Sequence, residues 1–288
     1  MNASQPMSGR IVVVTGATGG IGKATAAGLA ELGARVGIVG RSPERLAATA
    51  AELGGRAGSG GPIDVFAADL SSLEQVRRLA AELEERYPRI DALVNNVGGF
   101  WAHRHVTVDG LELTFALNHL APFLLTGLLI DRMRAHGDAR VVAVASSAES
   151  LGRIDFDDLQ GTQRYSGQRA YNQAKLADLL FTFELARRLR GTTVTANAVH
   201  PGVTRTAFGA EDQARLYASM GGLARPFMRS PERGADTVVW AASSPELDGV
   251  SGQYFHDRRV KRPSPRSLDE TTAKRLWRVS EELVGISG

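Results

Sequence analysis

Residues 10–23 read RIVVVTGATGGIGK. The β-branched apolar run at 11–14 fits a strand buried on both faces. Thr15-Gly16 ends it, and glycines at 16, 19, 20 and 22 lead into a helical pattern. Strand, glycine turn and helix start, in that order, present backbone N–H groups to a phosphate. Gly16 permits a sharp turn, Gly20 lets backbone approach a pyrophosphate, and Gly22 lets helix pack closely on strand. Thr18, Gly19 and Ile21 complete the candidate loop. The spacing is T-G-x-x-x-G-x-G rather than G-x-G-x-x-G. A turn of this kind also serves as an ordinary strand-to-helix connection, so the remaining chain must decide.

The chain has 288 residues, 43% hydrophobic and 23% charged, as in ordinary globular proteins. A net charge of +3 with scattered basic residues gives no reason to expect nucleic acid. Arg258, Arg259, Lys261, Arg262 and Arg266 read as a solvated face. There is no cysteine, which excludes disulfides, thiolate catalysis and cysteine metal sites. The first ten residues lack the apolar core of a signal peptide. The most apolar run, 120–130, is roughly half of the ~20 residues that a membrane span needs. These features predict a soluble, cytoplasmic protein without a membrane span.

Strand patterns at 11–14, 35–39, 63–68, 90–94, 140–145, 193–199 and 252–255 alternate with helical patterns. The helices fall at 24–32, 43–53, 72–87, 111–134, 169–189, 231–242 and 268–283, with Ser42, Pro43 and Ser230 as start signals. Such alternation predicts an α/β protein: a doubly wound parallel sheet of about seven strands with helices on both faces. Right-handed crossovers put every strand's carboxyl end on one edge. Gly16, Arg41, Asp69, Asn95, Ser147 and Pro201 fall at or near those ends, and that edge of an open α/β sheet holds the ligand. No composition shift marks a linker, so one domain is expected over residues 1–288.

Tyr171 and Lys175 lie four apart on a helix, so they share a face. A phenol ionises near ~10. An ammonium one turn away favours the phenolate and lowers that value, which suits Tyr171 to acid–base work on a carbonyl or alcohol. Ser147, on the same edge, has a hydroxyl able to donate to the same oxygen; Ser146 is its rival. Asn118 lies inside the long helix, and Pro122 four residues on has no N–H for its carbonyl. That carbonyl is then able to hold a water; a simple kink is the competing reading.

TGATGGIG, NNVGG after the fourth strand, Asn118 in LNHLAPF, Ser147 in VASS, YNQAK and HPGVTRT follow the order of the short-chain dehydrogenase/reductase family. The chain resembles that family from about residue 9 to its last helix. The segment from Leu151 to Leu189 looks like the retinol-dehydrogenase-like branch, as does the lengthened gap between Ser147 and Tyr171. One departure is Val97, where the family usually has alanine. The resemblance implies a single-domain Rossmann-like fold, with 9–147 mainly the cofactor half and 148–288 mainly catalytic and substrate-binding. It also implies hydride transfer between NAD(P)(H) and a carbonyl or alcohol. Ser147 then fixes the substrate oxygen, Tyr171 moves the proton, Lys175 holds the nicotinamide ribose, and Asn118 continues the proton path through a water. The further cofactor contacts are Asp69 and Leu70 beside the adenine, Asn95, Val97 and Gly98 after the fourth strand, and Pro201, Gly202, Val203 and Thr204 against the nicotinamide amide.

At the end of the second strand an acid would repel a 2′-phosphate, whereas Gly40-Arg41 leaves room and supplies a guanidinium fork. NADP(H) is therefore expected over NAD(H). Phe100, Trp101, His103 and His105 are candidates to border a substrate pocket, with 148–167 and 203–230 as walls and lid. Lid residues Phe208, Leu216, Tyr217, Met220, Leu223, Phe227 and Met228 favour a lipophilic carbonyl, steroid-like, retinoid-like or polyketide-like. His103, His105 and His200 lack a carboxylate at ligand spacing, so no metal is expected. Two alternatives stand beside this reading: a catalytically silent nucleotide-sensing protein on the same fold, and a nucleotide-sugar epimerase or dehydratase, which the glycine spacing fits poorly. The helices at 111–134 and 169–189 are apolar on more faces than one sheet covers. That predicts a homodimer or homotetramer through the helix pair, unless the last helix covers them.

Overall fold

The computed structural model describes residues 5–56, 61–204 and 228–286. Its elements in chain order are β1 (Ile11–Thr15), α1 (Gly20–Glu31), β2 (Arg35–Gly40), α2 (Pro43–Arg56), β3 (Ile63–Ala67), α3 (Leu73–Arg86) and β4 (Ala92–Asn95). Then come α4 (Leu113–Ala135), β5 (Arg140–Val144), a 3-10 turn (Ser147–Leu151), α5 (Gly167–Arg188) and β6 (Thr195–Val199). The chain closes with α6 (Pro231–Ser243), β7 (Tyr254–His256), β8 (Arg259–Val260) and α7 (Glu270–Val284). The sheet order is β3-β2-β1-β4-β5-β6-β7-β8. Every pair is parallel except β7–β8. Strand order reverses between β1 and β4, and the crevice above that point is where such sheets bind ligands.

Alternation along β1 builds two cores. Ile11 and Val13 join a layer with residues of α3, α4, α5 and α7. Val12 and Val14 join the opposite layer with residues of α1, α2 and α6. Burial on both faces is why these strands read as unbroken apolar runs.

The eighth strand departs from the expected seven. It is two exposed residues long, and its hairpin turns on Asp257 and Arg258, both at positive φ (49° and 55°). Turns of this kind usually carry Asn-Gly or Asp-Gly, so the sequence gives no hairpin signal. Arg258 is held there by Asp236, and its N–H donates to Thr237 Oγ1 at 3.3 Å. Arg266 donates to Gly152 O at 3.0 Å, and Lys261 lies over the Tyr254 ring. Part of the basic cluster is thus tied into the fold rather than simply solvated.

Two further expectations change. The apolar stretch of α4 is longer than residues 120–130. By length and composition the 23-residue helix is able to cross a membrane, but 72% of its most apolar window is buried inside this fold. It is a core helix here. The apolar surplus of α4 and α5 is covered by α7: Trp277 packs against Phe123 and Phe181, with ring centroids 4.9 and 5.8 Å away. The surplus therefore ceases to be an argument for a partner subunit.

Candidate active site

The glycine turn is pinned from the neighbouring strand. Thr15 Oγ1 accepts from Asn96 N and Val97 N, each at 3.0 Å, and Asn96 Nδ2 donates to Thr15 O (2.8 Å) and Gly16 O (3.3 Å). Gly16 and Gly20 take positive φ (65° and 53°). A Cβ on Gly22 would stand 2.4 Å from Asn96 Nδ2 and from Gly16 O. Gly19 caps α1 without a side-chain hydrogen bond, and the first turn holds no acid. The first N–H groups of α1 are thus left for an anion, and the helix dipole favours one. This geometry fits the pyrophosphate of a dinucleotide.

The flanking loops supply the remaining candidates. A Cβ on Gly40 would meet Thr18 Cγ2 at 2.7 Å, so glycine there lets the turn close on β2. Arg41 is exposed just past β2, and Arg45 donates to Thr18 O at 3.3 Å. Asp69 Oδ1 accepts from Ser71 N and Oγ, while Leu70 is buried in the core. Asn95 turns inward, its Nδ2 donating to Thr126 Oγ1 at 2.9 Å; the neighbouring Asn96 is the residue that reaches the turn. After β6, Pro201 is buried, Gly202 has φ 83° beneath the Arg229 side chain, and Val203 is exposed. Thr204 Oγ1 donates to Gly202 O, and both Thr204 and Ile21 pack against Gly234 of α6. That contact draws the loop towards the glycine turn. Phe208, Leu216, Tyr217, Met220, Leu223 and Phe227 lie outside the described residues.

The candidate chemical groups gather around the start of α5. Gly167 has room only for a hydrogen against Trp101 O, which seats the helix on the segment after β4. Phe100 lies with its ring 5.7 Å from that of Tyr171. Lys175 Nζ stands 5.8 Å from the centre of the Tyr171 ring. It is buried and donates to Asp178 Oδ2 (2.9 Å) and Val144 O (3.3 Å). Burial works against the ammonium, but Asp178 and Tyr171 together raise its pKa above the ordinary value. Burial also pushes the Asp178 carboxyl up to about 6, against the pull of the lysine.

Ser146 caps the 3-10 turn by accepting from Ala148 N at 3.2 Å. The Ser147 side chain is exposed on the turn that packs against α5. Asn118 lies in a π-helical turn, Ala116–Leu120, where Ala121 N–H reaches five residues back to Ala116 O. Pro122 follows and withholds an N–H from the ordinary ladder. The Asn118 side chain is engaged separately from its backbone. Its Nδ2 donates to Gly99 O and Thr114 O, and its Oδ1 accepts from Gly99 N. A Cβ on Gly98 would lie 2.6 Å from Asn118 Oδ1 and 3.6 Å from Lys175 Nζ, so Asn118, Gly98 and Lys175 share one neighbourhood.

Several residues of this region escaped sequence reasoning. Asp178 had a signal, an acid three residues after Lys175 in an otherwise apolar run. Glu149 had none. It is buried, accepts from Ser264 N with Oε1, and leaves Oε2 without a partner among the described residues. Tyr254 is buried nearby; desolvation, then Glu149 and Tyr171, push its pKa up. Tyr165 OH reaches Trp101 O (3.1 Å) and Glu112 Oε1 (3.2 Å), tying the 148–167 segment to the start of α4.

The short chain dehydrogenase family matches residues 10–216. Human retinol dehydrogenase 14 is 42% identical over 97% of this chain and 88% of its own length. DnrU of Streptomyces sp. (strain C5), provisionally named a daunorubicin C-13 ketoreductase, is also 42% identical, over 97% and 94%. Among solved structures, the Pseudomonas aeruginosa RhlG/NADP active-site complex superposes with a TM-score of 0.70 at 30% identity, covering 88% of this chain and 97% of that one. The chain belongs to the short-chain dehydrogenase/reductase family and is an NAD(P)-dependent oxidoreductase of its retinol-dehydrogenase-like branch.

Proposed function

We propose that the protein moves hydride between NADP(H) and a lipophilic ketone or aldehyde, or the corresponding alcohol. The observation that carries this reading is the meeting of Tyr171, Lys175, Asn118 and Gly98 at the sheet's carboxyl edge, beside an α1 N-terminus left without a side-chain cap. The nicotinamide supplies the hydride when bound. Tyr171 holds the proton for the substrate oxygen, and Ser147 orients that oxygen by donating to it. Lys175 carries a buried positive charge that favours the Tyr171 phenolate, and on this reading it also holds the ribose. Asn118 keeps the loop after β4 closed on this group through its side chain. Residues 9–147 on this reading serve mainly the dinucleotide, and 148–288 the substrate.

Arg41, with Gly40 before it, is assigned to the 2′-phosphate. The lipophilic preference is supported by Phe100 and Trp101 at the Tyr171 end and by the aromatic and aliphatic residues of the 203–230 segment. It is also supported by relatives named for retinol and for a daunorubicin C-13 ketoreductase. The test is turnover of NADPH and NADH with a panel of aromatic, steroidal and small polar ketones. A higher kcat/KM with NADPH, falling about 10-fold or more in Arg41→Ala while the NADH value holds, is expected. Equal use of both cofactors, unchanged in the variant, refutes the assignment of Arg41. A preference for small polar ketones refutes the substrate class.

A further inference from the structure

The buried carboxylate of Asp178 is the feature that the reaction as described leaves unused. It lies one turn beyond Lys175 on α5, and both side chains are almost fully buried, 8% and 5% exposed. Lys175 Nζ is 2.9 Å from Asp178 Oδ2 and takes a second acceptor in Val144 O at the end of β5. Two of the three ammonium protons are thus directed to fixed acceptors on the inner side of the helix. Thr182 Oγ1 donates to the backbone carbonyl of Asp178, not to its carboxylate. Among the described residues, Lys175 is the charged group that acts on Asp178. Those acting on Lys175 are Asp178 and Tyr171, with Tyr254 and Glu149 further out around Tyr171.

Building an anion into an apolar helix carries a large desolvation cost unless a cation answers it. Here the cation is the reaction's own lysine, so the pairing has consequences for Tyr171. We propose that Asp178 is a positioning residue: its carboxylate anchors the Lys175 ammonium and sets how much of that charge Tyr171 feels. Lys175 neighbours both groups, with Asp178 at 2.9 Å and the Tyr171 ring at 5.8 Å, so the anion offsets the cation that Tyr171 faces. Without the anion, both Lys175 and Tyr171 release a proton more easily, because removing a nearby negative charge disfavours every protonated state around it. The sign is therefore the same whichever of the two ionises first. The influence is present above about pH 6, where Asp178 is ionised, and fades below it.

This inference rests on the roles proposed above for Tyr171 and Lys175, but its test does not require turnover. Cofactor-free wild type, Asp178→Asn and Asp178→Ser are titrated by phenolate absorbance, with Tyr171→Phe subtracted to isolate Tyr171. Lysine 15N NMR follows Lys175 in the same proteins, with Lys175→Met as the blank. Near-UV circular dichroism confirms folding, and two uncharged variants keep the result from depending on one. Asp178→Glu, which retains the carboxylate, serves as the conservative rescue. The first proton to leave the Tyr171–Lys175 pair is expected about one pH unit lower in the uncharged variants, with Asp178→Glu close to wild type. The high-pH limb of ketone reduction should move down by the same amount. Coincident midpoints in wild type and the uncharged variants overturn the proposal. A wild type that reduces no carbonyl but shows the shift refutes the proposed function and leaves the role of Asp178 standing.

Discussion

Gly22 and Asn96 show how tightly the cofactor loop is specified at single positions. The Asn96 amide occupies the space that a side chain at residue 22 would need, and it ties Thr15 and Gly16 to the end of β4. Gly22→Ala should therefore force the turn apart, lowering stability by about 1–3 kcal/mol and weakening NADPH binding at least 10-fold. Asn96→Ala leaves room but removes those hydrogen bonds, and a loss of about 1–3 kcal/mol is expected. Thermal melts and NADPH fluorescence titration measure both; unchanged values in Gly22→Ala contradict the close packing at this turn. The glycines were readable because their need is local: positive φ and close approach leave a mark in the sequence. Asn96 was not, because the choice between Asn95 and Asn96 depends on which side of β4 each faces. Asn95 points into the core towards Thr126, and strand alternation sends its neighbour to the turn.

Helix α4 carries a similar division between local and non-local causes. Pro122 marks an irregularity in the sequence, and a π-helical turn stands immediately before it. What the sequence does not show is that His119, in that turn, is fully buried against Ser280 of α7, with Nε2 2.8 Å from the serine hydroxyl. Burial drops its pKa from 6.5 to about 3. The native state therefore keeps His119 neutral, while the unfolded chain takes up a proton below pH 6.5. Its stabilising contribution is complete above pH 6.5 and is lost as pH falls towards 3, by about 1.4 kcal/mol per unit. His200, lowered to about 4, acts in the same direction. The useful quantity is thus the difference between wild type and His119→Asn. Urea unfolding should show that difference changing by about 2–3 kcal/mol between pH 7 and 4.5, with the variant less sensitive to acid. A constant difference would show that His119 gains its proton in the folded state as well.

At the scale of the whole molecule, the alternating pattern of strands and helices was sufficient for the sheet and both covering layers. The central parallel strands β1, β2, β4 and β5 are buried on two faces and so write apolar runs, whereas the edge strand β3 is partly exposed. The β7–β8 hairpin was missed because two exposed residues and an Asp-Arg turn write nothing comparable. The apolar surplus of α4 and α5 had two readings, a partner subunit or the last helix, for a different reason. Residues 172–185 of α5 are buried all round, and a sequence shows that such a surface must be covered without saying by what. In this fold α7 does it: Trp277 sits between Phe123, Phe181 and the Arg188 guanidinium. Trp277→Ala should cost about 3 kcal/mol and lower Tm by several degrees; a melt within a degree of wild type would mean that α7 adds little. The candidate site was legible where motif residues lie on strand ends and one helix face. Asn96 and Glu149 owe their positions to packing between distant segments. The proposed chemistry rests on proton transfer at Tyr171 coupled to hydride transfer from the cofactor. Its most direct test is the loss of NADPH absorbance with a lipophilic ketone, in wild type and Tyr171→Phe side by side. Turnover by wild type, reduced about 100-fold or more in the variant while NADPH still binds, is the predicted result; equal rates in the two proteins would contradict it.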